Sequence, residues 1–205
     1  MASGKQSLKQ AHRKRIIREV RARGHSNRNL WYVYSVKLKQ DLVLSSDLAL
    51  VYWLVFLEID LDVVSFRQSE GSETFDFLVQ KRSGELVEVE LSSLDESADN
   101  SSEKSIRLSP MQVMKEAPFA IKIMKALAFA AAIRSLDCVA ASNAVRAIEV
   151  SLGEGDIKSV LSKAPLVAPP IICGVLVRHF IAGHIEIDFA GKPSFGYHTQ
   201  WRCRS

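Results

Sequence analysis

The hydrophobic pattern divides the chain into recognisable pieces. Ile16, Ile17 and Val20 recur at helical spacing within Ala11 to Val20, and WYVYSVKL (residues 31–38) is aromatic and β-branched enough to read as extended. Ser45-Ser46-Asp47 offers N-caps to LALVYWLVFLE, Leu48 to Glu58, a helix apolar nearly all round and therefore placed in the core. Three strands follow: Val63 to Phe66, Thr74 to Gln80 and Glu85 to Leu91. The last two are joined by Lys81-Arg82-Ser83-Gly84, good hairpin chemistry. Ser92 to Ser105 is polar loop. Ser109-Pro110 opens a helix that Pro118 interrupts, and Ala-rich Phe119 to Arg134 is the strongest helix pattern in the chain. Asp137 to Ala141 reads as a strand, with a short helix at Ala144 to Val150.

Beyond Gly153 the rhythm changes. Asp156 caps a helix over Ile157 to Ser162, Pro169-Pro170 starts another over Ile171 to Ile181, and Gly183 ends it. HIEIDF alternates as a strand, and YHTQWR returns after a turn-rich tip. Two helices and a hairpin outline a winged helix. The expected organisation is a basic arm (1–28), an α/β core (29–152) and a winged-helix-like unit (153–205).

Composition narrows the class. The 205 residues are 47% hydrophobic and 24% charged, with mean hydropathy +0.04, which is globular rather than disordered or fibrous. No apolar run is long enough for a transmembrane helix, and the basic start lacks the apolar stretch of a secretory signal. The three cysteines, Cys138, Cys173 and Cys203, are too few and too scattered for a disulfide scaffold and read as reduced thiols.

Net charge is +4 with a pI near 9.0, and its distribution matters more than its sum. Lys5, Lys9, Arg13, Lys14, Arg15, Arg18, Arg21, Arg23 and Arg28 are opposed before residue 29 only by Glu19. Between Ser83 and Glu103 the sign inverts, with seven acidic residues and no basic one. The arm suits phosphate contact with DNA, although a solubilising tail has the same composition.

Asp76, Glu88 and Glu90 carry the candidate chemistry. Residues two apart on a strand share a face, so Glu88 and Glu90 point together and the hairpin brings Asp76 beside them. Three such carboxylates repel unless a cation neutralises them, and hard oxygen ligands suit Mg²⁺ or Mn²⁺. The same pattern also describes an amphipathic hairpin with an acidic solvent face. His179, His184 and His198 with Asp188 match no structural zinc spacing. No G-x-S-x-G context supports a serine nucleophile. Gly153-Glu154-Gly155-Asp156 lacks the ending of a phosphate loop.

Asp76, eleven residues, then Glu88-Val89-Glu90 on paired strands resembles the PD-(D/E)xK nuclease core. With Ser46-Asp47-Leu48-Ala49 leading a helix into LEIDLDVVSFRQ, and with CVAASNAVR at Cys138 to Arg146, the chain resembles the TnsA-type heteromeric transposase endonuclease subunits over roughly Tyr34 to Arg146. The resemblance implies a restriction-endonuclease-like mixed sheet with flanking helices and a Mg²⁺-dependent (or Mn²⁺-dependent) endonuclease cutting one strand at a mobile element's end. It implies Asp76 and Glu88 as metal ligands with Glu90 activating water. It also implies double-stranded DNA and a DDE-type transposase as partners in a bacterial cytoplasm. Two positions depart: the family's helix glutamate falls on Ala49, and its lysine on Glu90. Asp47 lies two residues early on another side of the helix, and Glu58 more than two turns late. A non-catalytic DNA-binding scaffold on the transposase is the alternative. The last long helix, IICGVLVRHFI, offers only Arg178 and His179 to base edges, so the C-terminal unit is expected to dock on a partner protein or to touch DNA through Lys192, Arg202 and Arg204.

Deleting residues 1–28 should weaken double-stranded DNA binding and flatten the dependence of log K on log salt, because fewer counterions are released. Fluorescence anisotropy across a salt series checks this; an unchanged slope would remove the arm from the interface.

Overall fold

The computed structural model describes residues 29–69, 74–91, 105–191 and 195–204. It is mixed α/β. A short hairpin, β1 (Trp31–Ser35) and β2 (Gln40–Leu44), opens it, with Ser35 opposite Gln40. The extended stretch thus stops at Ser35, and Lys39 turns the chain at φ 55°. The Ser46 hydroxyl then accepts the Ala49 amide and caps α1 (Asp47–Tyr52). The helix continues through Trp53–Glu58 in the wider π form, whose bonds skip five residues rather than four. Ala49, Leu50, Tyr52, Trp53, Leu54, Leu57 and Glu58 are all buried, so the apolar run forms the central helix its pattern implies.

A four-stranded sheet follows in the order β3 (Val63–Gln68), β4 (Phe77–Lys81), β5 (Leu86–Glu90), β6 (Ser105–Arg107). The first two pairings are antiparallel and β5–β6 is parallel. Gly84, at φ 86°, makes the β4–β5 turn, a conformation that costs glycine little. Phe77, Val79, Val87 and Val89 face inward, where Tyr52 of α1 lies 5.5 Å from the Phe77 ring, and Leu86 and Glu88 face outward.

Ser109 and Gln112 form a reciprocal capping box on α2 (Pro110–Met114), and α3 (Ala117–Ala132) carries Pro118 in its first turn, where no amide is needed. The strand expected at Asp137 to Ala141 is instead the start of α4 (Val139–Leu152), continuous with the short helix expected after it. Asp137 Oδ1 accepts the Val139 amide at 3.1 Å and starts the helix from outside. CVAASNAVR, quoted for the family resemblance, is therefore helical from Val139 on.

The remaining elements are β7 (Glu154–Asp156), α5 (Ile157–Lys163), α6 (Pro169–Ile181), β8 (Ile185–Ile187) and β9 (Gln200–Cys203), with sheet order β7-β9-β8. Asp156 caps α5 through the Ser159 amide, and Gly183 ends α6 at φ 81°. Since α4 packs on α5, α6 and β9, a division at residue 152 separates it from the elements that cover it. Helix α6 lies along α3. A Cβ on Gly174 would sit 2.7 Å from both Ile133 Cδ1 and the Phe129 carbonyl oxygen, so the helices touch through glycine. Arg178 donates to the Ile133 carbonyl at 3.0 Å and Lys122 to that of Phe189 at 2.8 Å. The buried apolar residues of both parts form one cluster.

Gly174→Ala should therefore destabilise the protein by about 1–3 kcal/mol, the usual range for overpacking. Urea denaturation checks this, and an unchanged midpoint would show that the α3–α6 contact yields.

Candidate functional site

Strand alternation puts Glu88 and Glu90 on one face of β5, and Asp76, just before β4, is within hydrogen-bond reach of Leu91 at the end of β5. Leu78 pairs with Glu88 and Phe77 with Val89, and Asp76 lies one residue before β4, beyond the last paired position. Parallel pairing then puts Ser105 beside Glu88 and Arg107 beside Glu90. The carboxylates do not turn toward a common point. Glu90 Oε2 lies 3.0 Å from Arg107 Nε. Asp76 Oδ2 accepts the Leu91 amide at 2.7 Å, while the Asp76 amide donates to Val89. Glu88 is exposed to solvent. Among the described residues no group of three Asp, Glu, His or Cys side chains is placed to hold a metal ion. A guanidinium already neutralises Glu90, and Ala49 is a buried core residue. The donor set present does not fit the implied Mg²⁺.

The basic arm, residues 1–28, lies outside the described residues, as do Ser92 to Lys104 and Lys192. Arg202 and Arg204 both reach Glu186, Arg202 through Nε at 2.6 Å and Arg204 through Nε at 3.6 Å. Those two cations are therefore partly spent within the chain. His198 is exposed and His184 lies edge-on to His179 with ring centres 5.6 Å apart; the three histidines form no metal set.

Sequence reasoning missed a buried polar chain in the C-terminal half. Glu149 on α4 is fully buried, and its Oε1 lies 2.8 Å from His179 Nδ1 on α6. His179 Nε2 lies 2.8 Å from Ser142 Oγ, seven residues before Glu149 on the same helix. Arg146 Nη1 donates to Glu149 Oε2 at 3.2 Å. With the carboxylate ionised and the ring neutral, Nδ1 is the nitrogen that donates to Glu149 and Nε2 the one left to accept the serine hydroxyl. Ser142 and Glu149 share one helix face, a signal visible only once residues 139–152 are read as a single helix.

A second buried carboxylate closes the π-helical segment. Glu58 Oε1 accepts the Val36 and Lys37 amides at 2.5 and 3.0 Å, and Oε2 accepts the Ser35 hydroxyl at 2.7 Å. Lys37 Nζ meanwhile donates to the Leu57 and Asp60 carbonyls, each at 2.6 Å. Burial pushes the Glu58 carboxyl above its ordinary value near 4.5, opposed by those donors. Burial likewise lowers the Lys37 amine to about 8, with Glu58 and Asp60 resisting. Glu58 thus ties the β1–β2 turn to the core helix, and it cannot stand in for the carboxylate missing at Ala49.

Glu58→Ala should cost about 3 kcal/mol, since it strands three donors, whereas Glu58→Gln keeps an acceptor and should cost about 1 kcal/mol or less. A carboxyl whose folded value is raised adds stability that is complete below its unfolded value and is lost as pH rises through the folded one. Glu58→Gln should accordingly flatten the fall in stability above pH 4.5. Urea midpoints of the variants against pH check both points, and equal losses for Ala and Gln would show that the donors do not depend on this side chain.

No family model, no curated protein and no solved structure matches the chain.

Proposed function

We propose that the chain is a DNA-binding, scaffolding subunit of a multi-component DNA transposition machine, descended from a metal-dependent endonuclease and working beside a DDE-type transposase that does the cutting. One observation carries the choice of scaffold over nuclease: the carboxylate of Glu90, where the resembled family has lysine, is held by Arg107 at 3.0 Å, and Asp76 is turned to the Leu91 amide. Freeing Glu90 for a metal would break an ion pair, and position 49 offers only a methyl group.

The descent is supported by the order of parts. A capped core helix precedes a mixed sheet whose middle strands carry the Asp76 and Glu88-Val89-Glu90 pattern. The C-terminal succession α4-β7-α5-α6-β8-β9, with β9 between β7 and β8, suits a winged helix. In that arrangement α6 would be the groove-reading helix. Here Ile172, Val175, Leu176, His179 and Phe180 are buried within the chain, so this face is closed to a DNA groove. That buried face packs on α3 and α4 within the chain, which leaves the expected docking on a partner protein to other surfaces of the unit. DNA contact then falls to the basic arm, which would position the protein on phosphates without reading sequence.

The test is nicking of supercoiled plasmid by the purified chain with Mn²⁺. No nicking is expected, while double-stranded DNA is still bound and Asp76→Ala and Glu88→Ala bind as well as the native chain. Mn²⁺-dependent nicking that disappears in either variant would restore the nuclease reading. The double change Ala49→Glu, Glu90→Lys recreates the family pattern and releases Arg107; a gain of cleavage would support the descent.

A further inference from the structure

We infer that Ser142, His179 and Glu149 form a serine nucleophile with its general base, able to cleave a small carboxylic ester, a capacity independent of the DNA reading. Three geometric facts carry this. Ser142 Oγ and His179 Nε2 are 2.8 Å apart, within the reach a base needs to take the hydroxyl proton. The other ring nitrogen is held by both oxygens of Glu149, at 2.8 and 3.0 Å, which fixes the tautomer and the ring plane. Glu149 has no exposure and His179 very little, whereas Ser142 is half-buried on the first turns of α4. The acid and base are therefore inside and the serine is the partly exposed member of the three, the order that a Ser-His-acid relay requires.

Each partner has a separate reason to stay in place. Arg146, four residues after Ser142, donates to Glu149 Oε2 and holds the carboxylate from the solvent side. Cys203 Sγ donates to the Glu149 carbonyl at 3.4 Å, and His184 stands edge-on to His179. His179 itself belongs to α6, whose position is fixed by the close contact at Gly174. The surface beside the hydroxyl is open and partly apolar: Val139, three residues earlier on the same helix face, is 67% exposed and can meet a short acyl chain. The amides of Ala140 and Ala141, in the first turn of α4, have no helical carbonyl four residues back and would serve as donors to an acyl oxygen on the side toward which the Ser142 Cα–Cβ bond tilts.

The step balances without a cofactor. The Ser142 hydroxyl proton passes to His179 Nε2 as Oγ bonds to the acyl carbon. The bond from that carbon to the leaving oxygen then breaks, and His179 returns the proton to the departing alcohol. Water, activated by the same nitrogen, releases the acid and restores the serine. Ser142 and His179 touch the reacting atoms; Glu149 is a positioning residue.

The full chain, treated with a fluorophosphonate probe, should be labelled at Ser142 as located by peptide mass spectrometry, and it should hydrolyse p-nitrophenyl acetate. Ser142→Ala should lose both. His179→Ala should lose labelling by about a hundredfold or more, the usual worth of a general base. Glu149→Gln should reduce the rate and alter its pH profile while the protein stays folded by circular dichroism. In the native chain the labelling rate should depend on pH, and His179→Ala should remove that dependence. If His179→Ala fails to fold, the Glu149→Gln profile and the Ser142 labelling site still decide. Absence of labelling in the folded native chain, labelling at another residue, or an unchanged rate in His179→Ala would overturn the assignment and leave the three side chains as a buried structural link.

Discussion

The contact between α3 and α6 is the constraint on which the other parts depend. Its closeness comes from Gly174, where any side chain would meet Ile133 and the Phe129 carbonyl. Around it the aromatic rings of Phe119, Phe180, Phe189 and Phe195 join the two halves, with Phe180 and Phe189 centred 5.4 Å apart. Burial of this much aromatic surface outweighs what a polar linker between two independent units could supply. One consequence is that the C-terminal elements share a core with α3. Another is that α6 presents His179 to α4 at a fixed height, so the geometry of Ser142 and Glu149 follows from a glycine on the far side of the helix.

On the four-stranded sheet the backbone and its neighbours have separate effects. Strand alternation puts Glu88 and Glu90 on one face of β5, with Asp76 just before β4. What those carboxylates then do is decided by β6, the parallel strand that sets Arg107 beside Glu90. An exposed carboxylate–guanidinium pair contributes little to stability, typically below 1 kcal/mol. It nonetheless changes the local charge: one cation of the chain's own now occupies the side of Glu90 where a metal would have to approach.

How much of this was legible in the sequence depended on how local the cause was. Ser46, Gly84, Ser109 with Pro110, Asp156 and Gly183 each act on their own turn, and each cap or turn lies where its residue type places it. The π-helical continuation after Tyr52 has no residue signature of its own; it follows the burial of Trp53, Leu54 and Leu57. Asp137 to Ala141 misled because Cys138, the residue before α4, makes no side-chain cap, so the usual sign of a helix start was missing. The Asp137 carboxylate bonding to Val139 was the available cue. Pairings that span the chain were out of reach: Arg107 meets Glu90 across the segment from Leu91 to Ile106, and His179 meets Glu149 thirty residues away.

Of the three carboxylates that the residue pattern singled out, Glu88 is exposed and Asp76 and Glu90 are half-buried; of the two that are fully buried, Glu58 was weighed only as a distant stand-in for position 49, and Glu149 drew no catalytic attention. Physical chemistry favours the opposite emphasis. A carboxylate in water needs nothing from the protein, whereas one taken out of water must be met by donors or lose its charge. Glu58 is met by two amides and a hydroxyl, all from the β1–β2 turn, and its effect ends with that turn. Glu149 is met by a guanidinium and by an imidazole whose second nitrogen meets the Ser142 hydroxyl. Both are paired, but only the second pairing leads on to the hydroxyl of a partly exposed residue, which is why the proposed nucleophile is Ser142 and not a group on the acidic face of the sheet.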